Sequence, residues 1–368
     1  MKFSCLQENL SKGLQTIMHA VPAKSSLPIL SNVLISTDGG RLKLSATNLE
    51  TAISTHVGAS IEEEGSTTIP AKLLKDFVTN LPPGPINAYV KDEILTVSSK
   101  NTKSKFNGSS AHDFPELPTF PKKTKILEFD PAILNEVISL VAFASGTDTG
   151  RPVFTGIFLE FSKNKLTFAS TDGFRLSEKI ITIKSTVDDF SVVLPAKTLS
   201  EVAKIFSSST EPISFTLNKD ENLALFKSED TLIATRIIDG QYPDYKKIIP
   251  TDRVIKADFT TVDFFEAVRL TDIFAKEGNN TIKVRFDPDG KIKITSLSEE
   301  TGQHESNFPA EVDGELLEIA FNSKYLLDFL INIKSENIEF MSNGNLSPCL
   351  FKPDNLKDFV HIIMPMQI

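Results

Sequence analysis

The feature that most constrains this chain is that it repeats itself. A helix-like segment opening Pro70-Ala71-Lys72-Leu73-Leu74 recurs as Pro195-Ala196-Lys197-Thr198-Leu199 and, more loosely, as Asn322-Ser323-Lys324-Tyr325-Leu326. The first two lie 125 residues apart and the last two 127. An alternating strand behind a turn keeps nearly the same period: Leu42-Lys43-Leu44, Leu166-Thr167-Phe168 and Ile292-Lys293-Ile294, spaced by 124 and 126. Two independent landmarks with one period imply three tandem domains of similar plan. That suits a chain of 368 residues, which is long for a single compact core.

Proline and lysine concentrate at Pro115-Glu116-Leu117-Pro118-Thr119-Phe120-Pro121-Lys122-Lys123 and at Tyr242-Pro243-Asp244-Tyr245-Lys246-Lys247-Ile248-Ile249-Pro250. Both stretches are too short to be tethers and read as ordered connectors. The expected domains are 1–121, 122–250 and 251–368. Each shows helix, strands, second helix, strands. First helices carry Leu10, Leu14, Ile17 and Val21; then Ile133, Leu134, Val137, Ile138 and Val141 behind an Asp130-Pro131 cap; then Phe264, Phe265 and Val268. Second helices carry Leu73, Leu74, Phe77, Val78 and Leu81; then Leu199, Val202, Ala203 and Phe206; then Leu326, Leu327 and Leu330. Alternating runs such as Val33 and Ile35, or Ile157, Leu159 and Phe161, are strands. The fold class is α+β, with helices on one face of antiparallel sheets.

A formal charge of −9 argues against general affinity for polyanions. Distribution changes that reading. The second helices bear Lys72 and Lys75, Lys197 and Lys204, and Lys324 and Lys334 opposite their apolar stripes, and the first helices add Lys12 and Arg269. Acidic runs sit elsewhere, at Glu62-Glu63-Glu64, Asp188-Asp189 and Glu299-Glu300. A lysine recurring at one point of three repeats suggests a basic surface for a polyanion on an acidic molecule.

No catalytic set is visible. The five histidines are scattered, Cys5 and Cys349 lack metal-ligand spacing, and P-loop, dinucleotide and nucleophile-elbow patterns are missing. Thr171-Asp172-Gly173 reads as a turn. The expectation is no enzyme, no cofactor and no metal. Met1-Lys2-Phe3-Ser4-Cys5 lacks a signal-peptide core and no apolar run is long enough to span a bilayer, so the expected location is the cytoplasm.

Particular stretches now become interpretable: Met1-Lys2-Phe3, Leu27-Pro28-Ile29-Leu30-Ser31-Asn32, Arg151-Pro152-Val153-Phe154-Thr155-Gly156, Thr171-Asp172-Gly173-Phe174-Arg175-Leu176, Asp239-Gly240-Gln241-Tyr242-Pro243-Asp244-Tyr245 and Met364-Pro365-Met366-Gln367-Ile368. In this order, over a threefold repeat, the chain resembles the DNA polymerase III beta subunit family, the bacterial sliding clamps, along its whole length. The resemblance implies a DNA clamp fold and a head-to-tail homodimer whose six domains close a ring. Helices line its hole and antiparallel sheets form its outside. Twelve helices about 9 Å apart leave a bore of about 24 Å, enough for a duplex about 20 Å wide, whereas six leave only about 7 Å.

It also implies sequence-independent contact with duplex DNA by the helix lysines, Lys24 and, more weakly, Arg151. Expected partners are the polymerase III alpha subunit, the clamp loader and other proteins bearing short peptides rich in Gln, Leu and Phe. The implied peptide groove comprises Phe154, Thr171, Gly173, Phe174, Arg175, Leu176, Pro243, Lys247, Ile248, Asn322, Tyr325, Leu346, Ile362, Met364, Pro365 and Met366. Phe174 replaces the His of many relatives and Gln367-Ile368 a more usual Arg-Leu ending. For the dimer seam the resemblance points to Phe106, Ile273 and Phe274. The alternative function is a multidomain peptide-binding scaffold that never encloses DNA.

Overall fold

The computed structural model describes every residue except 123, 186, 251, 277, 278, 299–301 and 368, and not the side chains of 297 and 298. Lys123 of the first connector, Glu299-Glu300 and Ile368 of the tail therefore lie outside the described residues. Among the described residues are six α-helices: α1 (Gln7–Ile17), α2 (Ala71–Thr79), α3 (Pro131–Ala142), α4 (Ala196–Phe206), α5 (Thr261–Ala275) and α6 (Ser323–Asn332). The repeated Pro/Asn-x-Lys landmark opens α2, α4 and α6, and the alternating landmark lies in strands Arg41–Thr47, Lys165–Thr171 and Lys291–Ser298.

Local chemistry explains the helix starts. Asp130 Oδ1 accepts from the backbone N–H groups of Ala132 (2.8 Å) and Ile133 (3.2 Å), capping the Pro131 turn. Thr260 and Asn322 cap α5 and α6 in the same way. Four apolar expectations need correction. Leu73 and Ile133 are exposed, because they stand off the buried stripes, Ala71, Leu74 and Val78 in α2 and Leu134, Val137, Ile138 and Val141 in α3. Val21 lies beyond α1, which ends at Ile17 and gives way to a 3-10 turn, and Leu81 lies beyond α2, which ends at Thr79.

The chain forms two compact units, Met1–Leu134 with Glu201–Ile237, and Asn135–Ser200 with Ile238–Ile368. In the first, α1 packs on α2 and on the sheet. Gln7 Nε2 donates to Val78 O at 2.7 Å, and a Cβ on Gly13 would come within 2.6 Å of Val57 Cγ2, so the helix approaches the sheet as closely as glycine allows. In the second, α5 and α6 cover a core of two sheets. Phe286 and Phe340 stack there at 4.2 Å with planes 9° apart, and Phe264, Phe329 and Phe351 pack around them.

Among the described residues every strand pair is antiparallel, and the same joint occurs once in each unit. Thr231–Arg236 pairs with Thr51–Val57, with Leu232 opposite Ser54 and Ala234 opposite Ala52. Phe359–Ile363 pairs with Arg175–Thr182, with Val360 opposite Glu178 and Ile362 opposite Leu176. By the repeat period, Thr51–Val57, Arg175–Thr182 and Gly302–Pro309 are one strand seen three times, as are Thr102–Asn107, Thr231–Arg236 and Phe359–Ile363. The remaining member of each set ends its sheet: Thr102–Asn107 is an edge of the five-stranded sheet and Gly302–Pro309 of the four-stranded one.

Phe340→Ala removes one face of the central stack from a fully buried site and should cost about 3–5 kcal/mol. Urea unfolding followed by circular dichroism would show the second unit's transition moving to lower denaturant.

Candidate functional site

The second unit's joint places most of the expected groove residues together. Thr171-Asp172-Gly173-Phe174-Arg175 forms a tight turn into a strand. Asp172 Oδ1 accepts from the N–H groups of Phe174 (2.8 Å) and Arg175 (3.0 Å), Thr171 Oγ1 donates to Arg175 O (2.6 Å), and Gly173 N donates to Thr171 Oγ1 (3.0 Å). Gly173 adopts φ +95°, where a Cβ is costly. The turn thrusts Phe174 outward, 57% exposed, while Leu176 is buried against Ile362, Tyr245 and Leu350. Met364 N donates to Phe174 O at 2.8 Å and Met366 N to Ala320 O at 2.8 Å, so the tail is tied on both sides.

Arg175 organises the wall. Its Nε donates to Asp172 Oδ2 (3.1 Å) and its Nη1 to Asp328 Oδ2 (2.6 Å), and the guanidinium lies 4.6 Å from the Tyr325 ring centroid. Tyr325 and Asp328 belong to α6, whose first turn is capped by Asn322 Oδ1 accepting from Lys324 N at 3.0 Å. Burial first, then the Asp172 carboxylate, raise the Tyr325 hydroxyl pKa. Phe154 is linked to the turn through Gly146, whose N–H donates to Phe154 O at 2.7 Å and whose added Cβ would lie 3.5 Å from Asp172. Pro243 is flanked by Tyr242, stacked on Phe158 at 4.9 Å, and by Tyr245, which donates to Glu178 at 2.6 Å. Lys247 pairs with Asp244 at 2.8 Å, and Ile248 and Leu346 are exposed.

The basic residues divide into groups. Lys72, Lys197 and Lys324 are each the second residue of a helix, and all are exposed. A cation in the first helical turn opposes the helix dipole by about 0.3–1 kcal/mol, so folding gives no reason to repeat it three times. Lys12, Lys24, Lys204 and Arg269 are exposed too, and Lys75 is held by Asp76 at 3.0 Å. Lys334 requires correction: α6 ends at Asn332, because Ile333 turns extended and inserts into the core, leaving Lys334 beyond the helix. Arg151 stands apart from the helices. It donates to Asp148 (3.3 Å), lies 5.1 Å from the Phe154 ring centroid and borders Gly173, among the residues expected to form the groove.

Of the seam candidates, Phe106 lies on the edge strand Thr102–Asn107 but points inward, 5% exposed, edge-on to Phe77 at 5.2 Å. Ile273 is 60% exposed on α5, and Phe274 stacks at 5.4 Å on His304 of the other edge strand. Residues 277 and 278 beside them lie outside the described residues.

Three family models match this chain in succession: the DNA polymerase III beta subunit N-terminal domain over residues 1–118, its central domain over 128–244 and its C-terminal domain over 246–367. The chain belongs to the DNA polymerase III beta subunit family. A beta sliding clamp of Synechococcus elongatus is 30% identical over 376 residues, covering all of both chains, and that of Bacillus subtilis 27% over 379, again covering all of both. A crystal structure of the Bacillus subtilis DNA polymerase sliding clamp superposes with a TM-score of 0.95 at 26% identity, covering 100% of this chain and 99% of that one. The Pseudomonas aeruginosa DNA polymerase III subunit beta gives 0.94 at 27%, covering both fully. The function that goes with this membership is that of a DNA sliding clamp, and the scaffold alternative is not favoured.

Within this beta-subunit fold, sequence reasoning missed Asp172, Asp328 and Tyr242, which brace the Arg175 turn and its surroundings. The Tyr242-Pro243-Asp244-Tyr245 run was a visible signal for one of them. Asp328 has none, since it meets Arg175 across 153 residues of chain. Among the described residues no helix is long and apolar enough to cross a membrane, and no group of three or more His, Cys, Asp or Glu could hold a metal. Burial pushes both cysteine thiols up to about 12.

His361, opposite Ser177 in the strand joint, is fully buried, stacked on Phe329 at 4.7 Å and sharing a 2.7 Å hydrogen bond between Nδ1 and Ser177 Oγ. Burial, then the nearby Arg175 charge, hold its pKa well below the usual value. The unfolded chain therefore gains a proton below about pH 6.5 that the folded one refuses, and acidification favours unfolding by up to about 1.4 kcal/mol per pH unit. Urea midpoints between pH 7.5 and 5.5 should fall more steeply for the wild type than for His361→Gln.

Proposed function

We propose that two copies of this chain close head to tail into a ring that encircles duplex DNA and presents the Arg175 groove to short Gln-, Leu- and Phe-rich peptides of replication enzymes, among them the polymerase III alpha subunit and the clamp loader, in the cytoplasm. The reading divides the chain into three domains at the connectors near residues 121 and 250. The role is mechanical, and the groove and helix lysines carry no chemistry beyond binding.

The observation that carries the reading is the pair of sheet edges left over from a joint used twice. Thr102–Asn107 and Gly302–Pro309 are the third instances of strands that pair with one another in each unit. The pairing needs one more joint, and a second chain supplies it in both directions. Carrying the register across by the repeat period sets Ser104 opposite the partner's His304 and Lys103 opposite the partner's Glu305. The faces agree, since Ser104, Phe106, His304 and Phe308 turn inward while Lys103, Lys105, Gln303 and Glu305 are exposed. A slip of one residue would reverse that match. Ile273 and Phe274 flank the same edge and become buried in the seam.

The triple lysine supports the DNA contact. Helix N-termini with a lysine in the first turn attract phosphate oxygens, and such contacts ignore base sequence. Linkage, not adhesion, holds the DNA, so each contact can stay weak enough for sliding.

Oxidising a chain carrying Lys103→Cys and Glu305→Cys should give a covalent dimer in high yield, since opposed residues in an antiparallel pair meet disulfide distances and both native thiols are buried. Lys103→Cys with Asn307→Cys should cross-link far less. Equal yields, or none, would exclude this register. Phe174→Ala should weaken a Gln-Leu-Phe peptide at least tenfold by fluorescence anisotropy without altering dimer formation.

A further inference from the structure

The joint in the first unit reproduces the groove turn bond for bond. Thr47-Asn48-Leu49-Glu50-Thr51 stands 124 residues before Thr171-Asp172-Gly173-Phe174-Arg175. Asn48 Oδ1 accepts from the N–H groups of Glu50 (3.0 Å) and Thr51 (2.7 Å), Thr47 Oγ1 donates to Thr51 O (3.0 Å), and Leu49 N donates to Thr47 Oγ1 (3.0 Å). Arg236 N donates to Glu50 O at 2.9 Å, as Met364 N does to Phe174 O. The connector also matches: Phe114-Pro115-Glu116-Leu117 precedes Tyr242-Pro243-Asp244-Tyr245 by 128 residues.

The floor differs in a way that opens space. Where Leu176 faces Ile362 in the second unit, Ala52 faces Ala234 in the first. Two large side chains are replaced by two methyl groups, and a cavity of about 450 Å³ lies above them, walled by Leu49, Pro115, Leu117 and Leu223. That volume is in the range of about 300–1,000 Å³ typical of ligand sites. Leu49 is held at φ +73°, a conformation that costs a leucine, with its side chain half exposed at the lip. Glu50, Glu116 and Glu221 line the rim, all exposed, against Arg236, the one cation among the described lining residues, whose Nε donates to Leu49 O at 3.0 Å.

We infer that this cavity is a second peptide-docking groove, taking an extended segment of a partner protein with one large apolar anchor flanked by Lys or Arg. The anchor fills the space above Ala52 and Ala234, and the flanking cations meet the three glutamates. The peptide character of the occupant rests on the groove reading of the second unit; the cavity and its acidic rim do not. The charge preference is its own, because Phe174 and Met364 of the second groove are replaced here by Glu50 and Arg236.

The test uses the full chain and fluorescein-labelled octapeptides with a central Phe between Arg pairs or between Glu pairs. Anisotropy should show saturable binding of the Arg peptide at least tenfold tighter than of the Glu peptide. Ala52→Leu, which restores the residue found at position 176, should weaken it at least tenfold, as should Glu50→Lys with Glu116→Lys, a surface pair that leaves the fold intact if Ala52→Leu does not. Excess Gln-Leu-Phe peptide should not displace it, and failure of that peptide to bind the second groove leaves this result standing. Equal binding of both octapeptides, no saturation, indifference to the glutamate reversals, or displacement by the Gln-Leu-Phe peptide would each overturn the inference.

Discussion

A sheet edge carries a row of backbone N–H and C=O groups open to pairing, and this chain uses two such edges by pairing a strand of one repeat with a strand of the next. Thr231–Arg236 completes the sheet begun by the first repeat, and Phe359–Ile363 the sheet begun by the second. Because side chains alternate along a strand, that pairing fixes more than position: it dictates that Ala52 meets Ala234 and Leu176 meets Ile362. The groove turn, the tail that binds back to Phe174, and the cavity above the two alanines all follow from it. The proposed ring extends the same pairing to the two complementary strands left over, Thr102–Asn107 and Gly302–Pro309.

Electrostatics divides the labour. The chain is acidic overall, which disfavours indiscriminate adhesion to nucleic acid, yet it sets a lysine at the second residue of three helices, against the dipole. In the proposed ring, where DNA is held by topology, a few exposed ammonium groups on an acidic body suffice for weak contacts that permit sliding. Where a charge is made rigid, as at Arg175 between Asp172 and Asp328, it braces a wall and is largely withdrawn from solvent.

The repeat, the α+β class and the helix starts were legible because they depend on local chemistry: Pro and Asn caps, turn residues and apolar spacing. The boundaries of the apolar stripes were less so. Leu73 and Ile133 are as hydrophobic as their neighbours, and only the rotation of each helix on its sheet decides which is covered. Lys334 was misplaced because Ile333 continues the apolar spacing of α6 while its backbone has already left the helix. The Thr171–Arg175 turn and its neighbours close in sequence could be singled out through motif resemblance. The Arg175–Asp328 pair and the Ala52–Ala234 floor were not, because each joins residues more than 150 positions apart, the first by a strand meeting helix α6 and the second by strand pairing.

Encirclement itself is tested most directly by topology. The protein is loaded onto nicked circular DNA with a clamp loader, washed in high salt, and the circle is then cut once. A ring predicts retention through the wash and release on linearisation. Loss in the salt wash, or retention unaffected by cutting, would contradict it.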